Sequence, residues 1–176
     1  QIFVSNRAAI LVHADGEPVM AKIKDTNLEF VINSNFPVFH DRDKKNYYVF
    51  TGKQWLTSAS FQGPWMRATV LPKDMNKVKK DPEWAGLAAA IPPPPATEPV
   101  PTVFYAKGPA EVILFNGQPV YSVIKGTDLV YASNTDSDLF VHTPSQTYYY
   151  LASGRWFRSD SLQGRWTYAS ADLPAD

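Results

Sequence analysis

Aromatic and cationic side chains interleave across residues 148–166, and this stretch holds the strongest candidates for chemistry in the 176-residue chain. Tyr148, Tyr150, Arg155, Trp156, Arg158 and Arg165 all lie within it, and Tyr47 and Trp55 hold matching places in an earlier stretch, 47–65. Indole and phenol rings offer flat apolar faces on which a pyranose ring stacks, with a polar group at the edge to find a partner. A guanidinium adds five donors in a planar fork that suits carboxylates and hydroxyls. The chemistry such a set supports is non-covalent recognition, with Tyr148, Tyr150, Arg155 and Arg158 as one surface and Arg165 at its border. Packing competes for the same residues. Trp55, Trp65, Trp156 and Trp166 serve a core as well as a platform, and adjacent tyrosines on a strand point to opposite faces.

Other chemistries find less support. Cysteine is absent, and the chain lacks Gly-x-Ser-x-Gly, His-Glu-x-x-His and a phosphate-cradling glycine loop, so it reads as non-enzymatic. His40-Asp41-Arg42-Asp43 and Asp136-x-Asp138 carry ligand atoms but are shorter than a metal loop requires. They read as polar turns, and no cofactor is expected. With 17 basic and 17 acidic residues, the charge balance argues against nucleic acid as a partner. Lys73, Lys77, Lys79 and Lys80 read as a solvated connecting segment. No apolar run approaches the roughly 20 residues of a membrane span, so no membrane insertion is expected.

The elements that must position these residues occur twice. Residues 3–68 and 104–169 align without a gap at an offset of 101, with identity at twenty positions, among them Gly16/Gly117, Asn33/Asn134, Tyr47/Tyr148, Trp55/Trp156 and Trp65/Trp166. Of the ionisable side chains only Lys24/Lys125 and the two tyrosine pairs are kept. A duplicated active site would keep its ionisable groups, so the shared positions read as the packing and turn code of a fold.

Each copy reads as short strands broken by turn residues. Asp15-Gly16 and Asn116-Gly117 supply hairpin chemistry. Strands follow at 27–32 and 129–133, then at 37–40 and 139–142, and a three-stranded meander begins at the tyrosine pairs. This predicts an all-β protein of two small bent sheets or β-barrels of SH3-like size. Asp81-Pro82-Glu83 opens a short helix, and Pro92 to Pro95, Pro99 and Pro101 form an extended spacer. The expected divisions are 1–75, 76–102 and 103–176. A domain of about 70 residues buries only about 60% of its unfolded surface, so the 24 aromatic residues must carry much of each core.

The phrase Tyr148-Tyr149-Tyr150-Leu151-x-Ser153-Gly154-Arg155-Trp156-Phe157, followed by Ser161-Leu162-x-Gly164-x-Trp166, resembles tandem repeats of large uncharacterised bacterial envelope or surface proteins. Gly117-x-Pro119 and Ile124-x-Gly126-Thr127-x-Leu129 extend the likeness upstream. Some of those proteins are loosely labelled similar to carbohydrate-binding families V/XII. The resemblance implies a periplasmic or cell-surface setting and a glycan or cell-wall polymer as partner. The alternative is a structural or protein-interaction scaffold. Leu71-Pro72-Lys73-Asp74 returns as Leu173-Pro174-Ala175-Asp176, which predicts neighbouring repeats in a longer chain. Arg155, Arg158 and Arg165 occur only in the second copy, so the copies are expected to differ in task.

Overall fold

The computed structural model describes residues 1–169 and 171–176. The protein is all-β, as expected. Strands β1 (Ile2–Ser5) and β2 (Ala9–His13) lead into β3 (Met20–Lys22), β4 (Leu28–Val31), β5 (Val38–Asp41), β6 (Asn46–Phe50), β7 (Trp55–Ser58) and β8 (Met66–Arg67). After helix α1 (Met75–Lys80) and a 3-10 helix (Pro82–Ala90) come β9 (Thr102–Ala106), β10 (Glu111–Leu114), β11 (Tyr121–Val123) and β12 (Leu129–Ala132). The last four strands are β13 (Asp138–His142), β14 (Thr147–Ala152), β15 (Arg155–Ser159) and β16 (Thr167–Tyr168).

Two six-stranded antiparallel meanders result, β3 to β8 and β11 to β16, each in sequence order. Neither closes into the small barrel that is one reading of the sequence. Closure demands that tilted edge strands pair with the right stagger, and the last strand of each meander is only two residues long. The sheets stay open, and a separate two-stranded pair packs on one face of each. The chain divides into two compact units, Ile10–Gly108 and a second made of Gln1–Ala9 with Pro109–Asp176. These are not the divisions 1–75, 76–102 and 103–176, because β1 is hydrogen-bonded to β10 and β9 to β2.

Several of the identical positions have local work to do. Asn33 accepts from Val19 N at 2.8 Å and donates to the carbonyls of Asp15 and Glu17, at 3.0 and 2.9 Å. Asn134 makes the same three bonds, to Val120 N, Asn116 O and Gln118 O. A single amide thus ties this turn to the end of β4 or β12; the strands that flank the turn lie in different sheets, so the hairpin expected at Asp15-Gly16 and Asn116-Gly117 does not form. Ser58 and Ser159 donate to the carbonyls of Ser60 and Ser161, at 2.7 and 2.6 Å. The glycines that follow are fixed differently. Gly63 has φ +87°, where an L side chain is strained, while a Cβ on Gly164 would lie 2.6 Å from Ser161 Oγ.

In the first unit both faces of the meander are covered, so its strands carry apolar residues at odd and even positions alike. On one face Val31, Val38, Val49 and Leu56 pack under β2 and β9, together with Val12 and Tyr105. On the other, Leu28, Phe39, Tyr48 and Trp55 pack under Met75, Val78 and Leu87 of the two connector helices. Asp81 caps the 3-10 helix by accepting from Glu83 N at 2.9 Å, with Pro82 in its first turn. Trp84 then meets Phe30 and Phe39 edge-on, each with ring centroids 5.0 Å apart. Trp55 is 1% exposed and donates its indole N–H to Ala90 O at 2.8 Å.

In the second unit the buried cluster lies on the face that meets β1 and β10. Ile113, Phe115, Leu139 and Tyr150 pack with Ile2 and Val4 of β1. Trp156, the counterpart of Trp55, lies on the opposite face and is half-buried. Trp55→Ala should therefore cost about 3–5 kcal/mol of stability, the range for emptying a buried aromatic site. Trp156→Ala should cost less, and chemical denaturation of the two variants measures the difference.

Candidate functional site

The hairpin between β14 and β15 turns on two residues, Ser153 at φ 52° and Gly154 at φ 76°, flanked by the paired Ala152 and Arg155. Two successive left-handed residues make the turn that matches the twist of a β-hairpin. The turn sets Arg155 at the end of the sheet. Strand alternation then puts Phe157 on the same face as Arg155, with Tyr148 and Tyr150 as its neighbours on β14. From the loop before β16, Arg165 and Trp166 approach that corner, and Glu111 of β10 completes it. Arg155, Phe157, Arg165, Trp166 and Glu111, with Gln1 and Ile2, line an open cleft of about 680 Å³.

Arg155, Arg165 and Glu111 are exposed, whereas Phe157 and Trp166 are half-buried. Trp166 is held in place by its indole N–H, which donates to Leu162 O at 3.3 Å, and by an edge contact with Tyr150. Among the described residues neither Arg155 nor Arg165 is paired with a carboxylate. The cleft thus presents two free guanidinium groups beside two aromatic rings, with one carboxylate at its rim.

The corresponding corner of the first unit is closed. Gln54 stands where Arg155 stands, is buried, and donates to Pro99 O at 3.0 Å while accepting from Arg67 Nε at 3.1 Å. Arg67 in turn donates to Glu98 O, and Val100 packs on the adjoining core. The segment that lies there, Glu98 to Val100, leads directly into β9.

The other expected residues are dispersed. Arg158 lies three positions from Arg155 on one strand and so faces the opposite side of the sheet, where it pairs with Asp172 at 3.9 Å. Trp156 shares that side and borders a cavity of about 360 Å³ with Leu129, Phe140 and Tyr149. Tyr150 is 5% exposed, a core residue beneath the cleft, and Tyr148 is half-buried beside it. Adjacent tyrosines point to opposite faces, and with Tyr149 7% and Tyr150 5% exposed both faces of β14 are buried at this point. In the first unit Tyr47 packs on Phe61 at 4.5 Å beside a small cavity, and Trp55 is core. The single surface of Tyr148, Tyr150, Arg155 and Arg158 does not form. Glu111 and Phe157 of the cleft were not among the expected residues. Phe157 was readable from its even spacing to Arg155, whereas Glu111 comes from a distant strand and left no local signal.

Asp128, His142 and Asp176 bring ligand atoms within 4.8 Å of one another. Two of these groups already have protein partners, since Asp176 accepts from Asp128 N at 2.9 Å and His142 Nδ1 lies 2.7 Å from Ser145 Oγ.

Comparison with known protein families, curated proteins and solved structures finds no match to this chain. The geometry of the cleft is therefore the ground for its reading.

Burial shapes the phenols around the site. It pushes Tyr150 upward, with the carboxylate of Glu111 adding to the effect. Tyr121 is raised to about 12, first by burial and then by its neighbour Tyr148. An unfolded tyrosine titrates near 10. Between about pH 10 and 12 the unfolded chain gives up a proton that folded Tyr121 keeps, so this contribution to stability is whole below about pH 10 and falls as the pH rises. Melting temperature followed across that window should drop for the native chain and drop less for Tyr121→Phe.

Proposed function

We propose that the protein is a non-enzymatic binding module of the bacterial envelope, built from two diverged copies of one β unit, and that it holds a glycan or cell-wall polymer in the cleft of the second unit. The observation that carries this reading is the cleft in which the guanidinium groups of Arg155 and Arg165 lie beside the rings of Phe157 and Trp166. Two guanidinium groups without carboxylate partners favour a polymer that bears carboxylates, because charge-assisted bidentate bonds are the strong ones. The aromatic pair offers apolar faces to sugar rings. The resemblance to envelope repeats supports a periplasmic or cell-surface setting.

The second reading, a protein-interaction scaffold, has its own observation. The face of the second meander bearing Leu129, Phe140 and Trp156 borders a cavity of about 360 Å³, and Tyr131 on it is 41% exposed. A partner protein seated there would shield Trp156, whereas a polymer in the cleft would shield Trp166.

Isothermal titration or sedimentation with peptidoglycan and with acidic and neutral polysaccharides tests the first reading. Binding to a carboxylate-bearing polymer should weaken about tenfold for Arg155→Ala and for Arg165→Ala, the scale of one charge-assisted hydrogen bond, and should weaken as salt is added. Trp65→Ala, in the first unit, should leave it unchanged. Retention by none of these polymers, or equal loss in the Trp65 variant, overturns the assignment.

A further inference from the structure

Strand β1 lies parallel on β10, from Ile2 opposite Glu111 to Ser5 opposite Leu114. At the offset of 101 the arrangement recurs with the donor and acceptor copies exchanged. Phe115 N donates to Ser5 O at 2.9 Å, and Ala14 N donates to Ala106 O at 3.0 Å. Gly16 N then donates to Lys107 O at 2.9 Å, so β2 and β9 advance in the same direction. Each copy's leading strand is therefore seated on the second strand of the other copy.

Chain connectivity forbids the alternative. Parallel neighbours need a crossover of about a dozen residues or more. Only Asn6, Arg7 and Ala8 separate β1 from β2, and only residues 107–110 separate β9 from β10. A leading strand cannot fold back parallel on its own neighbour, so every acceptor strand must be completed by a donor from elsewhere. Backbone hydrogen bonding does not distinguish a donor in the same chain from one in another molecule.

Side-chain sizes choose among donors. Val4 of β1 is paired with Ile113 and packs on the cluster that holds Phe115, whereas its counterpart Tyr105 stacks on Phe61, with centroids 5.1 Å apart, in the unit where Ala14 replaces Phe115. A small donor faces a large acceptor in one unit, and a large donor a small acceptor in the other. Placing β1 on β2 would leave a void, and placing β9 on β10 would overfill the site.

We propose that β10 is a strand-acceptor site for β1 of a second copy of this chain, and that the protein forms a reciprocal strand-exchanged dimer hinged at Asn6, Arg7 and Ala8. The contacts are those already made within one molecule, and short hinges are where such exchange begins. The proposal is independent of what occupies the cleft.

The native chain has no cysteine, which gives a direct test. Full-length Val4→Cys and Ile113→Cys chains, whose altered positions are paired in register, are mixed, unfolded together and refolded at high concentration under oxidising conditions. A disulfide-linked V4C–I113C dimer should form in about tenfold excess over the V4C–V12C dimer from a parallel mixture, because disulfide geometry demands close Cα approach. Its yield should rise with protein concentration. The double variant V4C/I113C, refolded dilute, should instead close its bond within one chain, which shows that the substituted acceptor still folds. Internal closure when dilute with no V4C–I113C dimer when concentrated overturns the proposal, as does an equal yield of the V4C–V12C dimer.

Discussion

The length of the link between β1 and β2 governs this architecture. With three residues the chain cannot cross over to a parallel neighbour, and the β1–β10 pair is parallel. Each acceptor is therefore filled from the other copy, and the compact units cut across the sequence repeat. Val12, Ile113 and their neighbours become buried only when a donor from about a hundred residues away, by the offset of the copies, has arrived. The fold is thus non-local at its first step, though the meanders built upon it are local throughout.

A second asymmetry separates the units. The connector of α1, the 3-10 helix and the proline-rich segment is used up on the first unit. Its helices cover the face that carries Trp55, and Glu98 and Pro99 fill the corner by Gln54. In the second unit Arg155 takes the place of Gln54, and Trp156 is half-buried where Trp55 is core.

Much of the local structure was legible. Turn glycines, Asn33 and Asn134, and the serines that follow each tryptophan strand act within a few residues or across one hairpin, so their spacing carries their meaning. Asp81 with Pro82 announced the 3-10 helix for the same reason. Strand exchange left no such trace, because the residues that match β1 to β10 lie in separate copies, about a hundred residues apart by the offset. The candidate site was half legible. Arg155 and Arg165 meet in one cleft, while the odd spacing of Arg155 and Arg158 already excluded a shared face. Burial of both Tyr149 and Tyr150 was hidden, since it depends on layers contributed by distant segments on each side of the sheet.

Amide hydrogen exchange on Val4→Asp tests strand exchange most directly, because the two possible acceptors lie far apart in sequence. The substitution puts a carboxylate into the cluster of Ile113 and Phe115, and an unpaired buried charge is strongly disfavoured. Protection should fall at residues 112–115 while residues 11–14, the near neighbours in sequence, keep theirs. Loss at residues 11–14 with 112–115 unchanged would contradict the account.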